Sequence, residues 1–228
     1  NSSELPIHLD FSPDTNLREE HFIELAKLPL TFMRFSMWEK KFYCKGLDLL
    51  QSLDSLELTG YSHQFLNDAS NLKELKFLQL EIFIPDSGIL TRPSFDQIVK
   101  LRITLSRVDD ISDLFGSLNG LTFLDISKND AILNLSSSMK VLKTAPINKL
   151  GFGLCSIDTT NFKNVVFPIL KKVWLIGVSA GKREFGFIQF IHQNISLEFV
   201  DITMNGLSEK FAADLREKFP YITIKRDY

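Results

Sequence analysis

The sequence predicts an α/β solenoid, in which short parallel strands, each followed by a helix or a turn, stack in one row along the chain. Two observations predict it. Apolar segments of one form recur at near-constant spacing over almost the whole length, and amphipathic stretches lie between them. A third observation argues against a division into several domains: no composition break, Pro/Gly-rich linker or low-complexity tract interrupts the 228 residues. Residues 1–228 are therefore read as one domain.

The recurring segment is clearest in Leu53-Asp-Ser-Leu56-Glu-Leu58, Leu75-Lys-Phe-Leu78-Gln-Leu80 and Leu121-Thr-Phe-Leu124-Asp-Ile126, all of the form L-x-x-L-x-L. Looser copies place Ile98 with Leu101 and Ile103, Ile147 with Leu150 and Phe152, and Leu170 with Val173 and Leu175. Two more join Leu197 to Val200 and Ile202, and Phe219 to Ile222 and Ile224. Extending backwards gives Leu30-Thr31-Phe32 and Ile7-His8-Leu9. With all ten aligned on their paired apolar residues, the position three further on holds Ser12, Phe35, Tyr61, Phe83, Ser106, Asn129, Cys155, Val178, Asn205 and Asp227. Successive gaps are 22 to 27 residues. One such match means little in a leucine-rich chain, but ten at this spacing are a repeat.

The intervening stretches carry helical signals. Asn16 to Lys27 puts Leu17, Phe22 and Leu25 on one face, and Asn16 with Glu19 has the spacing of a capping box. Ser208 to Phe219 sets Phe211, Leu215 and Phe219 at helical spacing and is stopped by Pro220. Lys182 to Gln193 and Thr159 to Leu170 are predicted helices on the same grounds. The middle connections are shorter and predict turns or 3₁₀ segments. Each unit exposes an apolar face it cannot bury alone, so stacking supplies the core. The predicted core line is Leu56, Leu78, Leu101, Leu124, Leu150, Val173 and Val200. The 20 phenylalanines fit it, because Phe replaces Leu inside several repeats.

The segment Leu121 to Asn129, LTFLDISKN, resembles the leucine-rich-repeat motif L-x-x-L-x-L-x-x-N/C-x-L, and the other nine copies follow it more loosely. The resemblance implies a right-handed horseshoe, with a parallel β-sheet on the concave face and helices and turns on the convex face. It also implies that the Asn or Cys of the motif satisfies backbone groups where each strand ends. Only Asn129, Cys155 and Asn205 fill that position as the family prefers. Phe35, Tyr61, Phe83 and Val178 do not, and irregular turns are expected there.

A strand alternates its side chains between two faces. Residues beside the paired apolar positions must then point to solvent. The middle column is predicted as His8, Thr31, Glu57, Gln79, Arg102, Asp125, Gly151, Trp174, Asp201 and Thr223. The preceding column is Pro6, Pro29, Ser55, Phe77, Lys100, Phe123, Lys149, Lys172, Phe199 and Tyr221. Phe77, Phe123, Trp174, Phe199 and Tyr221 are thus five outward aromatics among charges. Aromatics and Arg are enriched in binding hot spots. Phe77, Arg102, Phe123, Asp125, Trp174 and Phe199 are the candidate partner-binding residues. The competing reading is that a loop or the curve of the sheet covers some of them.

Other chemistries find less support. The net charge is −2, without the basic balance of a nucleic-acid binder. No stretch approaches the roughly 20 apolar residues of a membrane span. The histidines His8, His21, His63 and His192 are dispersed, so no metal or cofactor is expected. Asp109, Asp110 and Asp113 miss the spacing of a calcium loop and suit an acidic helix start. Gly177 to Lys182 departs from the phosphate-loop pattern and is read as a turn. Cys44 and Cys155 are expected about five repeats, or roughly 24 Å, apart, too far for a disulfide. Together with the absence of cysteine-rich caps, this favours a reducing, cytoplasmic compartment. The sequons at Asn1, Asn134 and Asn194 weigh little against it.

The expected function is a protein–protein interaction module, not an enzyme. The alternative is the recognition domain of a larger enzyme, such as a ubiquitin ligase or a bacterial effector, whose catalytic part lies outside this chain. The first strand lacks amphipathic cover. The natural protein is therefore expected to continue upstream, or a partner or second copy to cover this edge, with self-association as one outcome.

Overall fold

A computed structural model describes residues 7–12, 17–36, 45–60, 63–82, 92–129, 133–155, 162, 164–178 and 184–226. Within them each apolar segment becomes a strand. The strands are β1 (Ile7–Phe11), β2 (Leu30–Ser36), β3 (Ser55–Thr59), β4 (Phe77–Glu81), β5 (Lys100–Thr104), β6 (Phe123–Ser127), β7 (Lys149–Gly153), β8 (Lys172–Ile176), β9 (Phe199–Asp201) and β10 (Thr223–Lys225). They form one sheet in chain order, every pair parallel. Parallel neighbours need a crossover between them. The described crossovers hold α1 (Glu19–Leu25), α2 (His63–Ala69), α3 (Leu135–Leu142), α4 (Glu184–Gln193) and α5 (Glu209–Lys218), with 3₁₀ turns at Leu47–Leu49 and Ile111–Asp113.

The core follows from the pleat. Leu56, Leu78, Leu101, Leu124, Leu150, Val173 and Val200 stand in register and are fully buried. Phe22, Leu66, Leu142, Phe187, Phe190 and Leu215 from the crossovers join them in one apolar cluster. Packing on that face leaves the other face of the sheet open.

The register differs from expectation in three strands, β1, β2 and β10. Met33 and Phe35, not Leu30 and Phe32, pair with Leu56 and Leu58. The motif there reads Leu30-x-x-Met33-x-Phe35, with Met and Phe in leucine positions. Leu9 and Phe11 follow, pairing with Met33 and Phe35. The middle column at this end is therefore Asp10 and Arg34 rather than His8 and Thr31, and Phe35 is a core residue rather than a turn residue. At the far end Ile224 pairs with Val200, which places Lys225, not Thr223, in the middle column. Thr223, not Tyr221, then occupies the preceding column.

Three helix expectations are also corrected. The described part of Thr159 to Leu170 holds no α-helix: Phe162 is in a 3₁₀ conformation, Asn164, Pro168 and Ile169 are in turns, and Asn164 is left-handed. Val165, Val166 and Pro168 disfavour a helix there. Helix α1 starts after Arg18, whose N–H donates to His21 Nδ1 at 2.8 Å, while Asn16 lies outside the described residues. The middle crossover α3 is a true helix, capped by Asn134 accepting from the Ser137 N–H.

Strand exits repeat one backbone device. Gly60, Ile82, Leu105, Lys128, Leu154, Gly177 and Met204 all have φ between 50° and 63°. The first six donate their N–H to a carbonyl in the next repeat, from Gly60 N–H to Glu81 through to Gly177 N–H to Thr203. Gly60 and Gly177 adopt this conformation freely. The other five hold it against steric strain, so the stack, not local preference, sets the turn.

The motif asparagines act as the resemblance implies. Asn129, 2% exposed, takes the Val108 N–H on Oδ1 at 2.9 Å and donates Nδ2 to the Val108 carbonyl at 2.6 Å. Asn205 accepts from the N–H of Val178 and donates to the Leu175 carbonyl. Val178 is itself buried, its backbone served by the next repeat. Tyr61 and Phe83 lie outside the described residues.

Candidate functional site

The open face of β4 to β9 gathers all six candidate residues. Parallel pairing sets Phe77 beside Lys100, Lys100 beside Phe123, and Lys172 beside Phe199. Arg102, Asp125, Gly151 and Trp174 stand side by side in the next column. Phe77, Arg102, Phe123, Asp125, Trp174 and Phe199 are each half-buried. Trp174 is the centre of an aromatic group. Its ring lies 6.4 Å from Phe123, nearly perpendicular, and 6.3 Å from Phe199.

Beside these rings the charges are matched. Arg102 Nε donates to Asp125 Oδ2 at 3.1 Å, and its Nη1 donates to Gln79 Oε1 at 3.4 Å. Ser127 donates to the other Asp125 oxygen. Gly151 has no side chain between Asp125 and Trp174; a Cβ there would stand 3.1 Å from Asp125 Oδ1. The gap is a cleft of about 200 Å³ whose walls include Phe123, Asp125, Gly151, Gly153 and Trp174. A larger shallow groove, of about 690 Å³, runs along the strand starts from Asp54 and Phe77 to Lys149 and Trp174.

Sequence reasoning missed part of this face because of the register at the first end. Phe32, aligned with Ser55, points outward and meets His8 at 5.3 Å, with the Arg34 guanidinium over its ring at 5.9 Å. Arg34 binds Glu57 at 2.6 Å. Reading the motif as Leu30-x-x-Met33-x-Phe35 would have found both. Tyr221 is 61% exposed but precedes β10, outside the aromatic row. Asp201 is outward in register yet only 2% exposed. Burial alone would raise its pKa, but hydrogen bonds from Thr203 and Lys225, and the charge of Lys225, hold it below the usual carboxylate value.

Cys155 is buried, and burial, with the Asp125 charge, pushes its thiol up to about 12. It is protonated at neutral pH and fills space as a small apolar group. Cys44 lies outside the described residues. Asp110 caps the short 3₁₀ turn by accepting from the Ser112 N–H. No group of three or more His, Cys, Asp or Glu among the described residues is placed to hold a metal. None of the described helices is long and apolar enough to cross a membrane.

No protein-family model matches the chain, and no curated protein matches it either. A solved structure does: an internalin from Listeria monocytogenes, with a TM-score of 0.54 at 17% sequence identity. The alignment covers 97% of this chain and 60% of the internalin. A likeness at that identity speaks for architecture, and with the ten-stranded parallel sheet it shows that this chain is a leucine-rich-repeat solenoid in fold.

Proposed function

We propose that the chain is a protein-interaction module that holds a partner protein on the open, concave face of the sheet. The observation that carries this is Trp174, half-buried at mid-sheet between Phe123 and Phe199. An open sheet has little structural use for a tryptophan there, whereas large aromatics with partial solvent access dominate interface energetics. Arg102 and Asp125 beside it supply orienting polar contacts. The face is broad and shallow, which suits a helix or loop of a partner rather than a small metabolite. The solenoid fold adds support, since stacked repeats generate extended binding surfaces.

The test is paired capture from a native lysate with two baits, the parent chain and Trp174→Ala. Proteins enriched on the parent and lost from the variant support the reading. If every protein captured by the parent is retained equally by the variant, the open face is not the binding surface.

A further inference from the structure

Strands β4 to β9 open on one row: Phe77, Lys100, Phe123, Lys149, Lys172 and Phe199. Lys100, Lys149 and Lys172 are exposed. Among the described residues none of the three makes an ion pair, in contrast to the next column. There Arg34 is matched by Glu57, Arg102 by Asp125 and Lys225 by Asp201. Moreover, Lys149 and Lys172 face each other directly across neighbouring strands. Like charges so placed weaken a sheet. The charges of the three lysines therefore add nothing to folding, and the groove of about 690 Å³ runs along the first four positions of the row, Phe77 to Lys149, with Lys76 adding positive charge and Asp54 a negative one.

We infer that the row seats an extended acidic segment of the partner protein, resting on the reading of the open face as a protein-binding surface. Carboxylates of the segment would meet Lys100, Lys149 and Lys172. Apolar side chains between them would pack on Phe77, Phe123 and Phe199. Six strands at about 4.8 Å span roughly 24 Å, the length of seven or eight extended residues. A single-stranded nucleic acid would also meet lysines alternating with rings. It carries a charge on every unit, however, whereas only three of the six residues in the row are basic.

The test is fluorescence anisotropy with labelled probes of about ten units: a peptide of glutamates interspersed with leucine, the same peptide with glutamine for glutamate, and oligothymidine. The glutamate peptide should bind the parent and weaken as salt rises. Combining Lys100→Gln, Lys149→Gln and Lys172→Gln should weaken it about tenfold or more, with the melting temperature equal or higher because repulsion is removed. The inference is overturned if the glutamine peptide binds as well as the glutamate peptide, if neither binds, if the triple variant binds equally, or if oligothymidine binds more tightly. The capture experiment separates the two readings: with Trp174→Ala losing the partner and the triple variant keeping it, only the acidic-segment inference fails.

Discussion

On the core face of β3 to β8, Leu56, Leu78, Leu101, Leu124, Leu150 and Val173 are fully buried and nearly interchangeable in kind. One residue along, on the open face, stand Glu57, Gln79, Arg102, Asp125, Gly151 and Trp174, which range over acid, amide, base, glycine and aromatic. The backbone is common to both faces, so the difference lies in what each must satisfy. A core position needs apolar volume in register. An open position is released from that demand, and its chemistry is free to serve something outside the chain.

The comparison breaks first on the core side. Leu124→Ala should cost about 2–5 kcal/mol, since it leaves a cavity in a packed stack; urea denaturation reads it, and a loss under about 1 kcal/mol would mean that the line is not a continuous core.

Asn194 sharpens it next. Its side chain is buried, accepts from the Phe167 N–H at 2.7 Å and donates to the carbonyls of Val165 and Phe190. It closes the irregular crossover before β8. Asn194→Ala should cost about 2–4 kcal/mol by stranding buried backbone groups, measured the same way. A near-neutral result would show that the crossover does not depend on it.

Asp201 is the open-face residue drawn into structural duty. Its folded pKa is lowered, so its stabilisation is present above the unfolded value and is lost as pH falls through the folded one. Thermal melts from pH 6 to pH 3 should therefore fall less steeply for Asp201→Asn than for the parent. Parallel curves would indicate that the Lys225 contact contributes nothing.

The middle of the fold was legible because Leu fills the motif positions from Leu53 to Leu80 and from Leu121 to Ile126. The register slipped at both ends for one reason: any apolar pair near the expected spacing satisfies the pattern. Thus Leu30 and Phe32 displaced Met33 and Phe35, and Ile222 displaced its neighbour Ile224. Only strand pairing separates such candidates. The 159–170 stretch misled because its apolar spacing is helical while Val165, Val166 and Pro168 are not. Asn194 read as a sequon, since nothing local reveals that it is buried. The strand-exit turns left no mark either, because Ile82, Leu105 and Leu154 sit where glycine would have announced them. In the site, alternation alone placed Phe77, Phe123, Trp174 and Phe199 on one face. The pairing of Arg102 with Asp125 and the Gly151 cleft required the register between strands.

The smallest expected effect on stability belongs to Trp174→Ala, within about 1 kcal/mol, and it carries the account's central claim that the open face serves recognition. The direct measurement is a binding titration of the captured partner against the parent and this variant, with a denaturation curve taken on the same samples. The account predicts an affinity weakened by about 2 kcal/mol or more, roughly thirtyfold, with the denaturation midpoint nearly unchanged. Equal affinity, or a loss that tracks unfolding of the variant, would contradict it.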